Sequence, residues 1–246
     1  MRVRPDPLAL ALWIGDSLGI KMLKPWSICL DMGAQPILWL DVERRKADVE
    51  PAMSTILHEG ELVTYVHDER LRQAAESSGG GNLATYRSWA ETVEEIMGIA
   101  EGGALIGGYS QAELKLLQEA RPAQAEWLDD RYLNANAGPW FRKHRPEVYA
   151  QLEATIPPDS FGKHVGLTHF LSVRDVGYHV PNRLEDFSPA ETIKRVREGL
   201  AKNGGWYGQL PEPLRISWKN LIKYNQHDVK GMCHLAEFIW QRSRTV

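Results

Sequence analysis

The sequence predicts an α/β fold, and three stretches of the chain carry this prediction. A short apolar run, Pro36 to Arg45, is rich in strand-forming residues and ends in the acidic pair Asp41 and Glu43. A second short apolar segment, Gly102 to Tyr109, is followed at once by an amphipathic helix, which is the βα unit of a mixed sheet. The chain closes with a long amphipathic helix, predicted from Trp218 to Trp240. We therefore expect a sheet with helices packed against it.

Composition is that of an ordinary globular chain. The 246 residues are 43% hydrophobic and 25% charged, and the formal net charge is −3. There is no overall basic character, so any contact with nucleic acid must come from a local patch. The two cysteines, Cys29 and Cys233, form neither a disulfide framework nor a metal-binding spacing, which favours a cytoplasmic location. The apolar run Leu8 to Ile14 is too short to cross a membrane, which takes about 20 residues, so we expect no membrane span.

We divide the chain into an N-terminal extension, residues 1–35, and one domain, residues 36–246. The extension is expected to hold a short helix and a small strand, and Asp31 at the end of that strand is a weaker metal-ligand candidate than Asp41. Within the domain, residues 44–57 are read as a polar connection. The further elements expected there are a strand over Glu61–Val66 and helices over Arg70–Glu76, Tyr86–Ile99, Gln111–Glu119, Val165–Leu171 and a segment beginning at Ser188.

The acidic pair at the end of the first strand is the first candidate for chemistry. Alternate residues of a strand share one face, so Asp41 and Glu43 point the same way about 6.6 Å apart. Carboxylates this close repel each other and resist ionisation unless a cation lies between them. Hard divalent ions such as Mg²⁺ or Mn²⁺ take such oxygen ligands. The alternative is a solvated strand end in which Arg44 and Arg45 neutralise the acids.

The helix after Tyr109 begins with a capping signal. Ser110 stands at the N-cap position and Glu113 at the third helical position, which is the spacing of a capping box. Glu113 is also the acid that follows the second strand, so it is a candidate metal ligand. These two interpretations compete, because one side chain cannot easily do both.

The final helix contributes a tyrosine and an acid. Tyr224 and Asp228 are four residues apart, so they lie on one helix face and can converge on one point. The alternative is a surface aspartate beside a tyrosine at the edge of the core. We expect His67, His227 and His234 to be solvated.

Two further features remain open. The basic, aromatic stretch 140–152 mixes Arg142, Lys143 and other cations with Trp140, as in stacking and phosphate contact, although an ordinary solvated helix face is the favoured interpretation. Asp129 and Asp130 are possible additional members of an acidic cluster.

In chain order, the motifs are a strand with D-x-E, the sequence Tyr109-Ser-Gln-Ala-Glu113, and the sequence Tyr224-Asn-Gln-His-Asp228-Val229. This order resembles the DEDD-type 3′-5′ exonucleases of the RNase H-like fold, in their tyrosine subtype, and is closest to the YprB-type predicted nuclease domains. The wider superfamily has aspartate where this chain has Glu113, which agrees with the narrower branch. Lys223 occupies the position that the histidine subtype would fill with histidine.

The resemblance implies a mixed five-stranded sheet flanked by helices, with the acids at one edge. It implies that Asp41, Glu43, Glu113 and Asp228 hold two divalent cations, Mg²⁺ or Mn²⁺, about 3.5–4 Å apart, and that Tyr224 orients a water molecule. The expected activity is two-metal-ion hydrolysis of phosphodiester bonds at a DNA or RNA 3′ end. The alternatives are a structure-selective endonuclease and a catalytically inert RNase H-like module that binds nucleic acid or protein.

Overall fold

The computed structural model describes residues 36–81, 83–156, 165–179, 181 and 188–243. These residues form an α/β fold with a six-stranded mixed sheet, compatible with an RNase H-like arrangement. The strand order across the sheet is β4-β3-β2-β1-β5-β6. The strands are β1 (Ile37–Glu43), β2 (Met53–His58), β3 (Glu61–Val66), β4 (Thr85–Tyr86), β5 (Leu105–Gly108) and β6 (Tyr132–Asn134).

Strand β1 lies between its antiparallel neighbour β2 and its parallel neighbour β5. A tight turn with positive φ at Glu59 (48°) and Gly60 (85°) joins β2 to β3 as a hairpin. The parallel pairs β3–β4 and β5–β6 complete the sheet. The sixth strand, beyond the five that were expected, is the two-residue β4 at the edge.

The stretch 44–57 contains a strand, so the expectation of a purely polar connection there is wrong. Strand β2 buries Ser54 and Thr55, whose hydroxyls are satisfied across the hairpin. Thr55 Oγ1 lies 3.0 Å from Thr64 Oγ1, and Ser54 Oγ lies 2.9 Å from His67 Nε2. Buried polar groups are tolerated when they are paired in this way, and pairing of this kind is not visible along a single strand.

Helices cover both faces of the sheet. Short 3₁₀ turns at Glu69–Leu71, Ser78–Gly81, Pro122–Gln124, Arg174–Val176 and Tyr207–Gln209 link some of them. The α-helices are α1 (Arg72–Ser77), α2 (Trp89–Glu101), α3 (Gln111–Ala120), α4 (Ala125–Arg131), α5 (Gly138–His144), α6 (Pro146–Thr155), α7 (Leu167–Leu171), α8 (Pro189–Lys202) and α9 (Glu212–Ser243).

The two faces of β1 enter different cores. Leu38 and Leu40 pack in the cluster that includes α2, α3 and α4. Ile37 and Trp39 pack on the opposite face, in the cluster that includes the C-terminal half of α9. Because strand side chains alternate, the face of Ile37 and Trp39 is continued by Asp41 and Glu43. The acids therefore extend the α9 face of β1 at its C-terminal end.

A buried arginine fastens α8 beside the loop that follows β1. Arg197 is 7% exposed and pairs with Asp48 (Nη1 to Oδ2, 2.8 Å) and with Asp68, which follows β3. The two carboxylates neutralise a charge that would be costly to bury alone. Helix α8 is thereby held against the ends of two strands.

The basic stretch 140–152 forms α5 and most of α6. Trp140 and Phe141 are buried and pack edge-to-face against each other, so neither ring is presented to solvent. Arg142 lies over the Tyr149 ring, and Arg145 pairs with Asp175 at 2.9 Å. The solvated helix face favoured from the sequence therefore holds for the cations Arg142 and Lys143, which are exposed, but not for the two buried aromatic rings.

The expected helix over Leu8–Leu18, the expected strand over Trp26–Leu30 and Asp31 lie outside the described residues. Within the described ranges, no helix combines the length and the apolar character that crossing a bilayer requires.

Candidate metal-dependent active site

Asp41 and Glu43 are bridged by a side chain from α9. Asn225 Nδ2 donates to Asp41 Oδ2 at 2.8 Å and to Glu43 Oε1 at 3.1 Å. Both acids are half-buried. One amide can reach both carboxylates only if they lie on the same face of the strand, so Asp41 and Glu43 share a face as the sequence predicts.

Helix α9 also brings Tyr224 and Asp228 to the same place. Burial and the negative charges of Asp228, Glu43 and Asp41 raise the pKa of the Tyr224 phenol, which also hydrogen-bonds to Asp228. That hydrogen bond opposes the rise in the pKa of Asp228, which burial carries to about 7. Tyr224 and Asp228 are one helical turn apart in α9, and their side chains are in hydrogen-bond contact.

Glu113 forms the capping box expected from the sequence. Its Oε2 accepts hydrogen bonds from Ser110 N at 3.2 Å and from Ser110 Oγ at 2.9 Å, and the Ser110 hydroxyl caps α3. The Tyr132 phenol lies 3.1 Å from the same oxygen and also donates to the Ser110 carbonyl. Gly108 makes room for this group, because an added Cβ would meet the Tyr132 hydroxyl and the Glu113 Cγ.

The capping role of Glu113 does not separate it electrostatically from the acids of β1. All the hydrogen bonds above use Oε2, and the carboxylate remains within electrostatic range of Asp41 and Glu43. Glu113 is 6% exposed, and burial raises its pKa although the capping hydrogen bonds lower it. Asp41, Glu43, Glu113 and Asp228, from β1, α3 and α9, thus form one electrostatic unit, which we call the acidic cluster.

Charge in this cluster is poorly compensated. Burial, followed by the charges of Glu43, Asp228 and Glu113, raises the pKa of Asp41 well above its usual range. Burial and the charge of Asp228 raise the pKa of Glu43 to about 8, although the Asn225 hydrogen bond lowers it. Raised values shared among neighbouring acids mark a place where a cation would be favourable.

The donor set fits a hard divalent cation in its chemistry. It offers carboxylate oxygens from three elements, which are the ligands that Mg²⁺ and Mn²⁺ prefer. Over the described residues, however, no three His, Cys, Asp or Glu side chains are already gathered into a metal-binding group. The acids of the described residues are close enough to repel one another, but they do not form a finished metal-binding cage.

Other acids named from the sequence are not in this group. Asp129 and Asp130 are exposed on α4, and Asp129 Oδ1 accepts a hydrogen bond from Gln118 Nε2 at 3.1 Å. Neither is among the charges that shift the pKa of Asp41 or Glu43.

The expectation of solvated histidines is wrong for His67. It is 6% exposed, and its Nδ1 lies 2.8 Å from the Arg87 carbonyl oxygen. Burial lowers the pKa of His67 to about 4, so the ring is neutral at pH 7. His227 and His234 are half-buried, and each has a hydrogen-bond partner, the Tyr178 hydroxyl and the Val176 carbonyl respectively.

Three residues around the cluster were given no role from the sequence, although Asn225 stands inside the Tyr224–Val229 motif. Asn225 occupies a position in the buried stripe of α9 where the helical period calls for an apolar residue, and this signal was available in the sequence. Tyr132, the first residue of β6, contacts Glu113 through its phenol. Burial, and then the charge of Asp228, raise the pKa of Tyr178 to about 12. The last two depend on long-range contacts that no local pattern reveals.

A basic cleft lies beyond the end of β1. Its volume is about 430 Å³, and Arg45, Lys46 and Lys194 are its cations, with Glu191 as its one acid. The cleft runs between the loop after β1 and the first turn of α8. Arg44, by contrast, is engaged elsewhere, since its Nη1 lies 3.3 Å from Glu119 Oε2.

In comparisons with protein-family models, with curated proteins and with solved structures, nothing matches this chain.

Proposed function

We propose that this protein is a metal-dependent nuclease that hydrolyses phosphodiester bonds of DNA or RNA, acting as a 3′-5′ exonuclease. The observation that carries the proposal is the acidic cluster. Asp41, Glu43, Glu113 and Asp228 converge from separate elements, interact electrostatically and have raised pKa values. Uncompensated acids of this kind destabilise a fold, and a bound cation is the ordinary means of relieving them.

The four carboxylates are the groups that would hold two Mg²⁺ or Mn²⁺ ions. When bound, such ions stabilise the charge of a phosphate in its transition state and lower the pKa of an attacking water molecule. The chain supplies the rest. Tyr224 is fixed by its hydrogen bond to Asp228, and its phenol is the group that orients the water.

The basic cleft is the proposed path for the substrate backbone. Arg45 follows Glu43 by only two residues, so the wall of the cleft begins directly after the acidic strand in the chain. Positive side chains attract phosphates without reading the base sequence. A locally basic cleft also reconciles nucleic-acid binding with a net charge of −3.

Digestion of end-labelled DNA and RNA, single- and double-stranded, tests the proposal. We expect shortening from the 3′ end with Mn²⁺ or Mg²⁺ and no cleavage with EDTA. Internal cuts would instead indicate an endonuclease, and binding without cleavage would indicate an inert module. Cleavage that persists in EDTA would contradict the metal dependence.

A further inference from the structure

Asn225 interrupts an otherwise apolar stripe on α9. The neighbouring buried positions along this face are Leu221, Ile222, Val229 and Met232. Asn225 itself is 0% exposed. A buried carboxamide at such a position needs an explanation, because an apolar side chain would pack there without unpaired polar atoms.

The hydrogen bonds of Asn225 point in one direction only. Its Nδ2 donates to Asp41 Oδ2 and to Glu43 Oε1, so both amide hydrogens go to the acidic cluster. Its Oδ1 is buried and has no hydrogen-bond partner among the described residues. Since an unpaired buried carbonyl lowers stability, helix packing alone does not favour this residue.

We infer that Asn225 is the positioning residue of the acidic cluster: its amide ties one oxygen of Asp41 to one oxygen of Glu43 and so sets where the two carboxylates receive a divalent cation. The inference rests on the proposed function. Asp41 Oδ1 and Glu43 Oε2 take no part in these two hydrogen bonds, and in this proposal they are the oxygens that would bind the ion. Without the amide, the like-charged side chains would turn apart, and the ion would have to bring them together.

Gln226 provides a matched control. It is the next residue of α9, it is half-buried where Asn225 is fully buried, and its amide Nε2 donates to Thr64 Oγ1 of β3 at 3.3 Å. It therefore ties the same helix to the same sheet without touching a carboxylate. If Asn225 only held α9 against the sheet, as Gln226 does, neither substitution would change the affinity for a divalent cation.

The first experiment measures Mn²⁺ affinity by calorimetry for the wild type, Asn225→Leu and Gln226→Leu. Residues that orient metal ligands typically contribute about 10- to 100-fold to metal affinity. We expect Asn225→Leu to weaken Mn²⁺ binding by at least tenfold and Gln226→Leu to change it by less than twofold. Asn225→Ala replaces the leucine variant if the latter does not fold. Equal affinities for the wild type and Asn225→Leu would overturn the inference.

The second experiment needs no metal. Unfolding in EDTA at pH 9 is measured for Asn225→Leu, Glu43→Gln and the double variant, and again with Gln226→Leu in place of Asn225→Leu. If Asn225 hydrogen-bonds directly to Glu43, the double variant should differ by at least fivefold, in its unfolding equilibrium constant, from the product of the two single effects. The Gln226 and Glu43 substitutions should show no such departure. Absence of coupling would overturn the inference even if the wild type cleaves nucleic acid. A wild type that binds no Mn²⁺ would instead overturn the proposed function, and the metal-free cycle would still decide whether the tie exists.

Discussion

Asp228 is subject to two opposing influences. Burial raises its pKa to about 7, and the hydrogen bond from Tyr224 lowers it. In the metal-free protein the carboxylate therefore keeps its proton to much higher pH than an exposed aspartate does. A bound cation would favour the ionised form.

We expect Asp228→Asn to lower the cleavage rate at least about a hundredfold, because the electrostatic stabilisation of the transition state depends on this charge. The substitution keeps the shape of the side chain, so the fold should survive. Cleavage is measured on an end-labelled strand with Mn²⁺, with Asp130→Asn on the exposed face of α4 as the control. An Asp228→Asn enzyme that works at the wild-type rate would remove Asp228 from the site.

For Tyr224→Phe we expect a milder loss, at most about a hundredfold, the low end for groups that move or orient a proton. Mn²⁺ affinity should change little, since the phenol is not a proposed ligand. Loss of its hydrogen bond should also raise the pKa of Asp228 and shift the pH–rate profile to higher pH. A collapse of Mn²⁺ binding would mean that Tyr224 supports the cluster structurally.

For individual residues, the sequence predicts contacts between neighbours on one helix but not contacts between residues far apart in the chain. The spacing of Tyr224 and Asp228 is enough to place them together. The contact between Asn225 and Asp41 spans 184 positions of the chain and depends on how α9 crosses β1. The only local trace of that contact is a polar residue in an apolar stripe.

Among the elements, α2 and α3 begin in the same way and can be compared directly. Each has a serine N-cap and a glutamate three residues later in a reciprocal capping box, Ser88 with Glu91 and Ser110 with Glu113. Glu91 is exposed, whereas Glu113 is buried in the acidic cluster. Comparing substitutions of Glu91 and Glu113 therefore separates the effect of capping from the effect of charge repulsion.

In EDTA we expect Glu113→Ala to lower the melting temperature less than Glu91→Ala. Loss of a cap costs about 0.5–2 kcal/mol, but at α3 the relief of like-charge repulsion offsets part of it. Mn²⁺ should raise the melting temperature of the wild type and of Glu91→Ala, because it binds only the folded state. Glu113→Ala should lose most of that rise.

Thermal melts of the three proteins with EDTA and with Mn²⁺ provide the measurement. If Glu113→Ala melts well below Glu91→Ala and yet keeps the full Mn²⁺ shift, Glu113 is a cap and no part of a metal site.

Elements with a strong local signal were predicted well. The hairpin strand Glu61–Val66 and the capped helix α3 agree with the sequence to within one residue. Strand β2 was missed, because its buried Ser54 and Thr55 imitate a polar loop. Helix α9 begins at Glu212, six residues before the predicted start, since its first turns contain few apolar residues.

For the whole molecule, the charge distribution matters more than the total. The net charge is −3, yet the loop after β1 and helix α8 present three cations to one cleft. The buried pair of Arg197 with Asp48 fixes the two walls of this cleft. Sequence composition could not reveal it, because the walls are about 150 positions apart in the chain.

We expect the combined substitution of Arg45, Lys46 and Lys194 by alanine to weaken binding of single-stranded oligonucleotide in EDTA. Each lost phosphate contact should reduce the slope of log K against log salt by about 0.7. Lys202→Ala, at the other end of α8 from Lys194, should leave the slope unchanged. Fluorescence anisotropy over a salt series gives both quantities, and an unaltered slope in the triple variant would place the substrate elsewhere.

Global stability should report the charge state of the acidic cluster. Glu43 has a pKa of about 8 in the folded protein and near 4.5 when unfolded, so its favourable contribution is complete below pH 4.5 and is lost as pH rises through 8. The pKa of His67 is about 4 in the folded protein and 6.5 in the unfolded chain, so its effect, a gain in stability with rising pH, is confined to pH values below about 6.5. The window from pH 7 to pH 8 therefore isolates the carboxylates.

In EDTA, we expect the melting temperature to fall between pH 7 and pH 8. Each proton released only on unfolding changes the stability by about 1.4 kcal/mol per pH unit, which is about 3–6 °C for a chain of this length. Mn²⁺ binds the ionised acids, so its stabilising effect should grow over the same window. Glu43→Gln should flatten the fall in EDTA, because one of the titrating groups is gone. A melting temperature in EDTA that holds steady or rises from pH 7 to pH 8 would mean that the charges of the carboxylates are already compensated without metal. Charge repulsion within the cluster would then provide no driving force for binding a cation.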